Sequence, residues 1–238
     1  MGHLFSLLAW GPDGWGDEIA SGVLVTVGLA FATLPFGLLL GFLVALAKRS
    51  DIWLLNAFGN LYTTIFRGLP ELLTLFIVYY GGQILLQKLI GLFFDVQVEI
   101  NSFLAGMIAL GVVFSAYSSE VFLGAFQGIS RGQAEASRAL GLSRWLTLRL
   151  VIVPQLLRLS LPGLCNLWLV LLKDTALVSV IGLPDTLRMT NIAVGVTKEP
   201  FFFYLICCLI FLVLAVLSSI VIGFIESRVE RGQRRSNA

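Results

Sequence analysis

Charge is what this sequence lacks most. Only 13% of its 238 residues are Asp, Glu, Lys or Arg, while 58% are hydrophobic, whereas a soluble domain carries about a quarter charged residues. That shortage excludes a soluble domain and predicts an integral membrane protein, with no stretch between the apolar runs long enough for a separate water-soluble core. Histidine is nearly absent as well. With His3 as its only representative, neither an HExxH helix nor a cysteine-histidine metal cluster can be assembled. The three cysteines, Cys165, Cys207 and Cys208, all fall in apolar runs, which argues against a disulfide framework and for small-residue packing. None of the four lysines follows a glycine, so there is no GxxxxGK[ST] phosphate cradle and no ATP-hydrolysing site of this kind. Lys and Arg are also missing from the first 18 residues, and a secretory signal is not expected.

What remains is helix suited to hydrocarbon. A bilayer core of about 30 Å takes about 20 helical residues. That length predicts five spans at about 19–47, 70–87, 103–126, 155–172 and 200–225, in one membrane domain covering 1–238. Residues 52–66 are apolar but short, and are expected to form an interfacial helix or an extension of span two. Residues 176–184 either continue span four past a break or re-enter the membrane. With the N-terminus outside, twelve basic residues fall in cytoplasmic segments and four, Lys88, Lys173, Arg188 and Lys198, outside. Basic loops are retained in the cytoplasm, so the imbalance predicts an outer N-terminus and an inner C-terminus. The mixed-charge stretch 183–200 is expected to be a compact external loop, and the tail "ESRVERGQRRSNA" an anchor to anionic lipid.

The largest basic loop, 127–154, contains "EASRALGLSRWLTLRLVIVP" at 135–154. Helix formers over 131–140, Gly141 as a left-handed stop and Ser143 as an N-cap predict two short helices. Ala134, Ala136, Ala139 and Gly141 leave little side-chain bulk, so another protein's backbone can approach closely, while Glu135, Arg138 and Arg144 can orient it by ion pairing. A loop that merely anchors the topology is the plain alternative.

The spacing is more specific than the composition. Glu135-Ala136-Ser137, three residues, Gly141, nine residues, Val151, one residue and Val153-Pro154 resemble the "EAA, three, G, nine, I, one, L-P" signature of ABC importer permeases. Ser137, Val151 and Val153 are conservative departures from it. "FRGLPELLTLF" (66–76), "AYSSEVFLGAFQGISRGQAEASRALG" (116–141), "PGLCNLWLVLLKDTALVSVIGL" (162–183) and "EPFFFYLICCLIF" (199–211) are similar to the polar amino acid uptake family, especially its histidine, lysine, arginine, ornithine and opine permeases. The resemblance extends from roughly residue 20 to 230. It implies an all-α integral membrane fold: a five-helix permease core whose coupling helix, around 131–142, lies between spans three and four and docks on a cytoplasmic ATPase. Glu135, Ala136, Ser137, Arg138 and Gly141 are then the ATPase-coupling residues. It further implies two ATPase chains carrying ATP and Mg, a second permease chain (a homologue or, as the alternative, a copy of this one), a periplasmic solute-binding protein, and a place in the bacterial inner membrane. No cofactor, metal or nucleic acid is expected on this chain, and no enzymatic activity.

Two acidic positions stand out within the spans. Glu120 must find a partner or water, because a bare charge at mid-span costs about 2.5 to 3.5 kcal/mol on insertion scales; Tyr117 and Gly124 share its face. It suits a substrate contact or gate, an ion pair to a neighbouring helix, or the proton carrier of a gradient-driven secondary transporter. Asp174 follows Asn166, Trp168 and Lys173 along span four. A carboxylate there suits a cationic substrate, and Lys173 an amino-acid carboxylate; the alternative is a pair of solvated boundary charges.

Overall fold

The computed structural model describes residues 6–12, 14–91 and 100–234; His3 and Arg235 lie outside them. Most of the described residues are helical, and five helical segments are long and apolar enough to cross a membrane: Gly16–Lys48, Glu71–Ile90, Ser102–Gly128, Arg144–Ile181 and Pro200–Val229.

Helix α1 (Gly16–Lys48) is the longest partner of α5 (Ser102–Gly128), and small residues explain why. Thr33, Gly37 and Gly41 of α1 lie against Gly111, Phe114, Ser115 and Ser118 of α5. In a membrane no hydrophobic drive separates helix from lipid, so close backbone approach supplies the packing. At Gly41 that approach is limiting: a Cβ there would strike Ser118 Oγ and lie 2.8 Å from the Ser115 carbonyl oxygen. The central α5 begins at Asn101, whose side chain accepts from the N–H groups of Phe103 (2.8 Å) and Leu104 (3.4 Å).

The apolar stretch after span one is a separate helix, α2 (Trp53–Gly68), rather than part of span two. Its break is local: Leu69 sits before Pro70 in extended conformation, as a pre-proline residue prefers. Tyr62 fastens α2 to α5, its hydroxyl 2.6 Å from Ser115 Oγ and 3.2 Å from the Val112 carbonyl. Span two then runs as α3 (Glu71–Phe76), a π-helical turn (Ile77–Gly81) and α4 (Gly82–Gly91).

Beyond α5 come two short helices, α6 (Arg131–Ala139) and α7 (Arg144–Thr147). Span four is longer than the expected 155–172, whose one charge is Arg158. From α7 it passes through a π-helical turn (Leu148–Ile152) into α8 (Val153–Asp174), then a 3-10 segment (Thr175–Ile181). Pro154 does not start the span; it sits in the first turn of α8, where a missing N–H costs little.

One expectation is corrected. Most of the segment 183–200, expected as a compact external loop, is a helix, α9 (Thr186–Thr197). Asp185 caps it, Oδ1 accepting from Arg188 N–H at 2.9 Å, and Thr26 Oγ1 of α1 accepts from Thr186 N–H at 3.1 Å. Ala193, Met189 and Val194 pack with Ile19 and Phe203, the latter on α10 (Pro200–Arg234). Charged residues at the ends of the segment obscured this apolar face.

Candidate functional site

At the end of α5 the chain leaves the bundle and α6 stands clear of it. Gly141, at φ +78, closes α6 through two bonds, Leu142 N–H to the Ser137 carbonyl (3.0 Å) and Gly141 N–H to the Arg138 carbonyl (2.9 Å). This 6→1 and 5→2 pair is a Schellman stop. Ser143 Oγ then accepts from Leu146 N–H at 3.3 Å and starts α7. Ser137 is buried, its hydroxyl donating to the Gln133 carbonyl at 2.7 Å. Glu135, Ala136, Arg138 and Ala139 are exposed. Leu140, 81% exposed, and Trp145, 66%, add apolar knobs to this surface. A short rigid helix with a small-residue face flanked by a leucine and a tryptophan is suited to seat in a cleft of another protein.

A second cluster lies inside the bundle. Lys48, at the end of α1, places Nζ 2.5 Å from Glu120 Oε1 and 3.3 Å from Thr63 Oγ1, and Arg67 of α2 reaches the same carboxylate oxygen at 3.4 Å. Arg67 also lies 5.6 Å from the Tyr117 ring centre, a cation–π contact. Three helices are thus tied at one carboxylate. Lys48 is nearly enclosed, its side chain 7% exposed, whereas Arg67 is open at 46%. The Lys48 arm therefore carries most of the interaction, since solvent screens the other. Gly124, one turn on, faces open space.

Deeper in the bundle, Glu71, Tyr117 and Asp174 line one narrow cleft of about 20 Å3 with Leu110, Phe114 and Leu171. That is room for about one water. Neither Glu71 nor Asp174 has an ion-pair partner among the described residues. Because the helical path continues to Ile181, Asp174 stands roughly 10 Å inside the end of span four by helical rise. The remaining span-four candidates diverge. Asn166 and Lys173 are exposed along one face of α8, while Trp168 turns toward α1, its ring 5.0 Å from that of Phe31. Tyr117 is the residue common to both acidic sites, and Glu120 and Asp174 do not share one.

Sequence reasoning missed Lys48, Arg67 and Glu71. The first two entered only as loop charges, and their pairing spans 72 residues for Lys48. Glu71 follows "RGLP" and looks like an ordinary acid in the first turn of a helix; a carboxylate opening a span was the available signal.

Comparison with known proteins places the chain in a family of transport proteins. The model of the binding-protein-dependent transport system inner membrane component matches residues 15–231. The chain belongs to that family. Among its relatives, this permease is 42% identical over 233 residues to the nopaline transport system permease protein NocQ of Agrobacterium fabrum, covering 96% of this chain and 98% of the relative. It is 37% identical over 224 residues to the histidine/lysine/arginine/ornithine transport system permease protein HisQ of Escherichia coli, covering 94% and 98%. A solved amino acid ABC transporter crystallised with histidines superposes with a TM-score of 0.77 at 33% identity, over 90% of this chain and 95% of the other. The inward-facing MetNI methionine ABC transporter, at 19% identity and TM-score 0.69 over 89% and 95% of the chains, shares the fold. The permease is a transporter subunit of the ABC importer class and not an enzyme.

Proposed function

We propose that this permease forms the translocation path of an ATP-driven importer for cationic amino acids or opines. The observation that carries the substrate class is the pair of carboxylates, Glu71 and Asp174, lining one cleft beside Tyr117 with no ion-pair partner for either among the described residues. Two acids at depth favour a guanidinium or ammonium group, which replaces the water each would otherwise need. The names of the nopaline and histidine/lysine/arginine/ornithine relatives support the same class. The cleft is too narrow for such a molecule, so passage requires the helices to part.

The force for that parting comes from outside the chain. ATP and Mg bind to a separate pair of ATPase subunits, whose closure is transmitted through Glu135, Ala136, Arg138 and Gly141 of the exposed α6 elbow, with Ser137 holding the elbow's inner side. A second permease chain, a homologue rather than a copy, meets the polar face of Asn166 and Lys173, which would be costly to leave in lipid. A periplasmic binding protein delivers substrate at the end bearing α9. The basic-residue imbalance supports an N-terminus in the periplasm and a C-terminus in the cytoplasm of a bacterial inner membrane.

The other reading, a gradient-driven transporter with Glu120 as proton carrier, is not favoured by the family, and Glu120 is already engaged by Lys48 and Arg67. The test is substrate-stimulated ATPase activity of the assembled complex in proteoliposomes, with arginine, histidine, nopaline and glutamate as ligands. Stimulation by the first three and not by glutamate is expected; stimulation by glutamate alone would reject the cationic assignment.

A further inference from the structure

On the side of the bundle away from the acidic cleft, α1, α8 and α10 leave a long apolar groove of about 450 Å3, walled by Phe31, Leu164, Trp168, Leu217 and Val221. At its coupling-loop end it adjoins a polar pocket of about 380 Å3, and Leu161 lines both. Gln155 and Arg158 of α8 and Glu226 of α10 face that pocket. Cys165, on the groove wall, lies within electrostatic reach of Glu226. Neither Arg158 nor Glu226 has an ion-pair partner among the described residues.

The dimensions and the charges point to one occupant. Along α8 the groove runs from Leu161 to Leu172, and along α10 from Leu214 to Ile225. Each run is roughly 16 Å by helical rise, close to half of a ~30 Å hydrocarbon core, the depth of one leaflet. An acyl chain fills such a groove, and its headgroup then falls in the polar pocket. There the two charges are of opposite sign. Arg158 offers a guanidinium fork that matches phosphate, and Glu226 offers an acceptor for an ammonium. A headgroup with net negative charge satisfies Arg158 but meets Glu226 as a like charge, whereas a zwitterion satisfies both.

We propose that this groove is a binding site for one aminophospholipid of the leaflet on the coupling-loop side, with its phosphate on Arg158, its ammonium on Glu226 and an acyl chain against Trp168 and Leu217. Bound there, the lipid joins α10, otherwise packed on α8 and α9, to α1. The site rests on the membrane fold alone and stands whatever the permease transports.

Native mass spectrometry of the full-length chain tests it, with phosphatidylethanolamine or phosphatidylglycerol returned after delipidation. Retention of one phosphatidylethanolamine per chain, several-fold above phosphatidylglycerol, is expected. Arg158→Ala should cut that retention about tenfold, the loss of one charge-assisted contact, and Glu226→Gln should erase the preference between the two lipids. Equal retention of both lipids by the unaltered chain, or retention and preference unchanged in the variants, overturns the proposal. A second measurement needs no charge variant. Phosphatidylethanolamine brominated on its acyl chain, at one per chain, should quench tryptophan emission, and Trp168→Phe should abolish that quenching. Absence of quenching, or disulfide linkage of Cys165 to a second copy of the chain in native membranes, overturns it too.

Discussion

Asp185 shows how much one side chain decides at the start of α9. It is fully enclosed, caps α9 through Oδ1, and leaves Oδ2 without a partner. Burial is the main cause that pushes its carboxyl up from 3.8 to about 6, against the pull of the backbone bond from Arg188. The folded chain thus holds a proton more readily than the unfolded one, so stability is greatest at low pH and is lost as pH rises from about 4 through about 6. The loss is on the order of 3 kcal/mol. Thermal unfolding in detergent should give a Tm several degrees lower at pH 7.5 than at pH 5, and Asp185→Asn should flatten the difference.

Glu120 sets a different test at the same scale. Glu120→Gln leaves Lys48 nearly buried without its counter-charge. Removing one partner of a buried pair costs about 3 to 5 kcal/mol, less here because the Glu120 side chain is 31% exposed. Tm should fall by roughly 5 °C or more. Replacing both partners, Lys48→Met with Glu120→Leu, should recover part of that loss, because an apolar pair leaves no orphaned charge. Equal Tm for Glu120→Gln and the unaltered protein would show that the pair is not held in solution.

Among the elements, α6 is the one whose detail was legible in the residues. A left-handed Gly141 and a Ser143 cap are local events decided within a few positions, and both are present. The apolar centres of the five crossing segments were legible for the same reason, since absence of charge is a local signal. Their ends were less so. Span four reaches Arg144–Ile181 because a π-helical turn and a 3-10 segment carry the path through basic residues and past Asp174, and neither has a sequence period of its own. The cap that makes α9 a helix depends partly on Thr26, 160 residues away. The Lys48–Glu120–Arg67 node and the Glu71–Asp174 cleft join separate helices, so no window along the chain displays them. For α6 itself, Gly141→Ala forces a side chain into the left-handed region at about 1 to 2 kcal/mol. Because α6 stands outside the bundle, Tm should barely move while substrate-stimulated ATPase activity of the complex falls severalfold. A large drop in Tm with full stimulation would contradict the role assigned to this helix.

For the whole molecule, the proposed substrate cleft and the proposed coupling helix involve different residues, so their variants should fail differently. Asp174→Asn and Glu71→Gln should lower the transport rate for arginine about tenfold or more while leaving assembly with the ATPase intact, as judged by co-purification. Loss of assembly in these two variants would make them structural residues. Everything else depends on where the energy enters. The most direct measurement is accumulation of radiolabelled arginine in proteoliposomes holding this permease, with and without its ATPase, second permease and binding protein. Uphill uptake is expected only in the complete complex with ATP, and collapse of proton and sodium gradients by ionophores should leave it unchanged. Uphill uptake by this chain alone, driven by an imposed proton gradient, would contradict the account.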